Sequence, residues 1–271
     1  MKITTICIYI FNKILQYISP LKILGTKESI DYLINNECSL SRFGDGELII
    51  INGGDIHFQH YNKNLKTRLI EILKEKEENH FKVGIPIAIN YMNDLTPQCL
   101  QFWKQNMATG RMHWIKLCNK NKIYLNASFT WCFTDYNDKE KAALYLKKIQ
   151  SIWNNQKIIL VEGKTSKLGV HNSLLANAQY IKRIICPNKN AFEHYEFIKQ
   201  SIINHYNKEL VILSLGPTAT VLAYDLYKEG IRTIDIGHLN LQWNEFINQY
   251  GMTYPKYKHP IITDEIYEKQ I

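Results

Sequence analysis

From residue 39 onward, short runs of β-branched and other apolar residues alternate with stretches whose apolar residues recur at helical spacing. Continuous apolar strands need cover on both faces, and only a helix-length crossover returns the chain to a parallel neighbour. The pattern therefore predicts an α/β fold, a Rossmann-like mostly parallel sheet with helices on both faces. Strands are expected over residues 39–43, 48–51, 82–89, 122–125, 157–161, 181–186, 210–215 and 231–236. Helices are expected over 28–36, 64–77, 97–107, 138–153, 170–178, 191–206 and 218–229, with Asn190 capping the sixth and Glu193 at the reciprocal position. In such sheets ligands sit beyond the carboxyl ends of the strands, so the residues that follow each strand are where chemistry is sought.

Composition narrows the class. With 45% hydrophobic and 21% charged residues over 271 positions, the chain can bury a sizeable core, which excludes disordered, collagen-like and multi-span membrane classes. Lys+Arg 33 against Asp+Glu 25 gives +8, which favours an anionic partner. The lysines are scattered rather than gathered in a stripe with interleaved aromatics, so no nucleic acid is expected. Six widely spaced cysteines, with no C-x-x-C pair, read as reduced thiols in a cytoplasmic protein. Residues 1–26 read as an apolar helix or weak membrane-associated segment, interrupted by Asn12 and Lys13 and too short to span a bilayer. Residues 27–250 read as one domain and 251–271 as a tail.

Four strand-end motifs carry candidate chemistry. In Ser41-Arg42-Phe43-Gly44-Asp45-Gly46-Glu47 two glycines flank Asp45, and the D-x-E spacing can aim two hard oxygen donors at Mg²⁺ or Mn²⁺; the competing reading is a plain Asp-Gly hairpin turn. Arg42 beside those carboxylates suits either fixing their geometry or holding a phosphate. In Gly216-Pro217-Thr218-Ala219-Thr220 a glycine turn precedes a helix start, where free N–H groups and hydroxyls favour an anion, although a structural turn fits as well. Glu162-Gly163-Lys164-Thr165-Ser166-Lys167 looks like a P-loop but has Ile158 where the first glycine should stand, which leaves Glu162, Ser166 and Lys167 as polar candidates at a strand end. Asp235-Ile236-Gly237-His238 closes the last strand with two polar groups. Asp55, His57 and His60 read as surface residues rather than as a second metal cluster.

Taken together, these motifs with Leu168-Gly169-Val170, Asn190-Ala191-Phe192 and the run from Val221 to Leu226 resemble the bacterial GT-D glycosyltransferases, formerly a domain of unknown function (DUF1792). The resemblance covers roughly residues 27–250. It implies a glycosyltransferase using a UDP-sugar, typically UDP-glucose, with Mn²⁺ or Mg²⁺ at a D-x-E motif that falls on Asp45 and Glu47. His238 stands where the family motif ends in histidine, from which a place near the metal and diphosphate is inferred, and Asn172 is expected among the substrate- or nucleotide-binding residues. Two departures stand out: Ser173 and Asn240 occupy positions where acids are usual in the family.

These readings predict hexosyl transfer to a glycan, lipid-linked glycan or glycoprotein acceptor in bacterial surface polysaccharide or protein glycosylation. Asp45, Glu47 and Asp235 are expected as catalytic, and Asp94, Asp135, Glu162 and Asp235 are the candidate bases for an acceptor hydroxyl. A metal-dependent phosphoesterase and a non-catalytic sugar-nucleotide-binding module are the alternatives. The expected location is cytoplasmic, extending to the inner face of the membrane if residues 1–26 touch it.

Overall fold

The computed structural model describes residues 3–251 and 262–267. In chain order the elements are α1 (Ile3–Ile18), β1 (Lys22–Ile23), α2 (Thr26–Asn35), β2 (Ser39–Arg42), α3 (Asp45–Ile51), α4 (Lys63–Lys74), β3 (Phe81–Ile85), α5 (Pro97–Leu117), β4 (Ile123–Asn126) and α6 (Cys132–Asp135). They continue with α7 (Lys139–Ile149), β5 (Lys157–Gly163), β6 (Tyr180–Cys186), α8 (Tyr195–His205), β7 (Leu210–Ser214), α9 (Pro217–Lys228), β8 (Thr233–Asp235), α10 (Leu239–Gln249) and β9 (Ile262–Tyr267). The strands form one sheet in the order β1-β4-β3-β2-β8-β7-β5-β6-β9, and every pairing is parallel.

Both faces of the sheet are covered, as continuous apolar strands require. Along β5, Ile158 and Leu160 point into a core shared with Leu146 and Trp153 from the α7 region and with Trp243 and Phe246 of α10. Ile159 and Val161 point the opposite way, into a core shared with Ile198 and Ile202 of α8 and Leu222 and Leu226 of α9. A third cluster joins Phe81, Val83 and Ile85 of β3 to Leu65 and Leu69 of α4 and Trp103 and Trp114 of α5. The chain runs outward from β2 through β3 to β4, whereas β5 opens the other half, so β2 and β8 meet at the centre where the two halves join. A parallel sheet opens a crevice at such a junction.

Several sequence expectations differ from the fold; the strand expected over 82–89, for one, ends at Ile85, and Ile87–Ile89 form a 3₁₀ turn. Residues 48–51 are helical: Glu47 folds back so that its Oε2 accepts the Gly44 N–H at 2.6 Å, and this N-terminal clasp with burial of Ile50 and Ile51 outweighs the strand preference of three consecutive isoleucines. Residues 170–178 form turns, because Gly169 at φ 72 and His171 at φ 64 break a helical path and Asn172 bonds locally to the Leu174 N–H. Asn190 is left-handed at φ 52, and its side chain caps nothing in its own helix but accepts the His60 N–H at 2.9 Å. The segment read as a tail includes β9, which pairs with β6. Its remaining residues from 252 lie outside the described ones.

Candidate active site

The segments that follow β2, β3, β4, β7 and β8 converge on a cavity of about 710 Å³. Its polar lining comprises Arg42, Asp45, Glu47, Asp235 and His238, and its apolar lining Ile56, Phe58, Cys99, Phe102, Trp103 and Trp131. Gly216 contributes the floor at the start of α9.

Arg42 organises the polar lining. One guanidinium nitrogen donates to the Ala127 carbonyl at 2.8 Å and to the Thr130 hydroxyl, while Nε lies 3.6 Å from Asp235 Oδ1. Gly237 at φ 49 leaves this guanidinium its space, since a side chain there would overlap it. Asp235 also accepts the Gly237 N–H at 2.9 Å. Burial nevertheless pushes the Asp235 carboxyl above its ordinary range, against the pull of Arg42. Burial likewise raises Glu47 to about 7, opposed by the Gly44 N–H and reinforced by the charge of Asp235. The imidazole of His238 lies with its ring centroid 6.0 Å from those of Phe58 and Trp131. Desolvation, with the Arg42 charge behind it, holds its pKa below the usual value, so it is neutral near pH 7.

Asp45 and Glu47 stand two apart in the first turn of α3, where such side chains do not share a helix face. Both border the cavity all the same. Among the described residues no three His, Cys, Asp or Glu side chains gather closely enough to cage an ion, so Asp45, Glu47 and His238 do not form a ready three-ligand centre. The donor chemistry still fits a hard divalent cation. Three carboxylates, Asp45, Glu47 and Asp235, border the cavity, and Mg²⁺-type ions often take one or two carboxylates and complete their shell with substrate phosphates and water.

At α9, Gly216 adopts φ 55 directly beneath the Phe58 ring, which leaves no room for a side chain. Pro217 opens the helix, Ala219 is buried, and the Thr218 hydroxyl is buried with no hydrogen-bond partner among the described residues. Thr220 and Ser41 are spent on a clasp between α9 and β2: Thr220 Oγ1 donates to the Arg42 carbonyl at 2.8 Å and Ser41 Oγ to the Thr220 carbonyl at 2.6 Å. Phe43 borders the cavity although it is fully buried, and its N–H donates to the Gly84 carbonyl at 2.8 Å.

The β5 candidates are placed differently. Glu162 is 1% exposed, paired with Arg183 and accepting the Leu168 N–H at 2.8 Å, and it does not line the cavity. Asn172 donates to the side chains of Asn240 at 2.9 Å and Asn244 at 2.8 Å, again as internal structure. Ser166 Oγ lies 3.3 Å from Ser214 Oγ, which in turn donates to the Gly237 carbonyl at 2.8 Å, so it braces the loop behind His238. Lys167 is exposed at φ 46. His57 is exposed, and His60 lies 3.4 Å from Asp55, both on the surface.

A family model described as the glycosyltransferase GT-D fold matches residues 40–258. The chain belongs to the GT-D glycosyltransferase family. Among its curated relatives, the probable glycosyl transferase Gly of Streptococcus gordonii is 34% identical over 226 residues, covering 83% of this chain and 33% of that protein. Glycosyltransferase GlyD of Streptococcus pneumoniae is 32% identical over 263 residues, covering 93% and 32%. The chain thus spans about a third of the length of these relatives. A solved structure described as a new glycosyltransferase (DUF1792) from Streptococcus sanguinis superposes with a TM-score of 0.81 at 33% identity, covering 86% of this chain and 87% of that one. Another, described as showing that domain of unknown function 1792 has a distinct glycosyltransferase fold, gives 0.83 at 29% identity and covers 94% of each. Reading strand ends finds the polar residues that border this cavity, whereas its aromatic residues come from a loop, a 3₁₀ turn and a helix. Trp131, five residues past the end of β4, was within reach of the same rule, whereas nothing in the spacing of Phe58, Phe102 or Trp103 points to the cavity.

Proposed function

We propose that the chain moves a hexosyl group, glucose or a close relative, from a UDP-sugar to a glycan, lipid-linked glycan or glycoprotein acceptor, with Mn²⁺ or Mg²⁺ as cofactor. The observation that carries this reading is the mixed lining of one cavity: carboxylates, a guanidinium and a helix start interleaved with aromatic rings. Asp45 and Glu47 would hold the cation, with substrate phosphate and water completing its shell. Bound there, the metal would offset charge on the departing diphosphate. The N-terminus of α9, which reaches the cavity at Gly216, would supply a second favourable field for that charge. Arg42 fixes the orientation of Asp235 and the loop after β4.

Of the four carboxylates considered as the acceptor base, Glu162 is locked to Arg183, Asp94 is exposed near Lys141 at 4.0 Å, and Asp235 is held by Arg42. Asp135 lines the cavity and makes no ion pair among the described residues, and burial raises its pKa to about 6. It is therefore ionised near pH 7 yet more basic than an ordinary aspartate, which suits removing a proton from a sugar hydroxyl. Phe58, Trp131 and Phe102 offer flat apolar surfaces for the faces of sugar rings. The test is UDP-glucose turnover by the purified protein with Mn²⁺. Slow hydrolysis that disappears in Asp45→Ala and Glu47→Ala supports the assignment; undiminished turnover in both contradicts it.

A further inference from the structure

Helix α1 is packed with its polar side inward. Asn12 is 1% exposed and spans one turn of α5, its Nδ2 donating to the Ala108 carbonyl at 2.9 Å and its Oδ1 accepting the Met112 N–H at 3.1 Å. Arg111 adds a bond to the Asn12 carbonyl at 2.8 Å, and Gln16 donates to the carbonyl of Asn90. The opposite face carries Ile10, Phe11, Ile14, Tyr17 and Ile18, each between 48% and 79% exposed. Their spacing places them on one stripe about 180° from Asn12 and Gln16. A stripe of this kind on a folded protein marks an interaction surface.

The charge distribution says what the surface fits. Residues 1–27 and 95–134 contain nine of the 33 Lys and Arg and none of the 25 Asp and Glu. The rest of the chain holds 24 basic and 25 acidic side chains, so these two segments carry the whole positive excess. The fold brings them together, α1 against α5 and β1 beside β4. Lys104 and Lys116 stand one turn before Ala108 and one turn after Met112, on the ridge of α5 that receives α1. Both are exposed, as are Lys13, Lys22 and Lys120. No helix among the described residues is long and apolar enough to cross a membrane.

We infer that the α1–α5 face docks on an anionic lipid surface, the apolar stripe of α1 entering the interface and the flanking lysines meeting the headgroups. Phe102 and Trp103, one to two turns along α5 from the α1 contact, line the active-site cavity. Docking through α1 would therefore bring the bilayer to the side of the protein where α5, which also lines the cavity, receives α1, toward an acceptor carried on a lipid. That consequence for the acceptor rests on the transferase reading, whereas the docking surface does not.

The test is co-sedimentation of the full chain with phosphatidylcholine vesicles and with vesicles containing phosphatidylglycerol. Binding to the anionic vesicles only, released by high salt, is expected, with a loss of about tenfold or more in Lys104→Glu/Lys116→Glu and in Phe11→Ser/Ile14→Ser. Donor hydrolysis in solution should be unchanged in both, which separates loss of docking from loss of folding or of catalysis. Absence of sedimentation with anionic vesicles, or equal binding by both variants, overturns the proposal. A wild-type dimer in solution that Phe11→Ser/Ile14→Ser converts to monomer also overturns it, by giving the stripe to a second copy.

Discussion

Strands β5 and β8 lie two apart in the sheet, each flanking β7, and each ends in a carboxylate near an arginine, yet the two ends have opposite fates. At β5, Glu162 meets Arg183, the Leu168 N–H completes its bonding, and in the loop that follows Asn172, Asn240 and Asn244 bond to one another. At β8, Asp235 is also near an arginine, but Glu47, His238 and Asp45 stand beside it facing a cavity. Buried polar groups that satisfy one another stabilise a fold, while polar groups held apart around an empty volume remain available for a ligand. The same residue types thus serve structure at one strand end and chemistry at the other.

The contrast is broken most severely at β5. Glu162→Ala leaves the Arg183 charge buried without its partner, and denaturant unfolding should show a loss of about 3–5 kcal/mol. Turnover per folded molecule should remain close to that of the native chain. Asp45→Ala inverts this result: it removes a half-exposed side chain at the cavity, so turnover should fall by about 10²–10³ while stability changes by less than about 0.5 kcal/mol. If Glu162→Ala lost activity without losing stability, the division between the two ends would be wrong.

Gly216→Ala tests the floor of the cavity. At φ 55 beneath the Phe58 ring an alanine is strained and displaces the ring, so the donor KM should rise several-fold and the melting temperature drop by a few degrees. A smaller effect is expected from Asp135→Asn. Because the folded-state pKa of Asp135 is raised to about 6, the folded protein binds this proton more tightly than the unfolded chain. The stabilisation from that proton is fully present below the ordinary aspartate range and is lost as the pH climbs to about 6. The variant should therefore gain melting temperature over the native chain progressively from about pH 4 to 6 and hold a constant advantage above, while losing acceptor transfer. Thermal melts across that range check the first part and a transfer assay the second.

The alternation of apolar runs was enough to read a doubly covered parallel sheet, because a buried strand has to be apolar throughout and its crossover has to be long. The strand-end motifs located Arg42, Asp45, Glu47, Asp235 and His238 for the same reason: in this topology the chain after each central strand faces the crevice. What the sequence could not convey is how each polar group is spent. Glu162 and Asn172 read like ligands until Arg183 and Asn240, 21 and 68 residues away along the chain, are seen to claim them. Residues 48–51 read as a strand because propensity is local, while the bond from Glu47 to Gly44 that starts a helix there depends on a single side chain turning back. The inverted packing of α1 escaped periodicity too, since an apolar stripe looks the same whether it faces the core or the solvent.

The central claim, that the cavity at the β2–β8 junction binds a sugar nucleotide with a divalent metal, is tested most directly by thermal unfolding with UDP-glucose in the presence and absence of Mn²⁺. A ligand at about 100 times its Kd adds about 2.7 kcal/mol to the folded state. The native protein should therefore melt several degrees higher when UDP-glucose and Mn²⁺ are both present, and Asp45→Ala should show little or none of that rise. A native protein that does not respond to any UDP-sugar, or an Asp45→Ala variant that responds equally, would contradict the account.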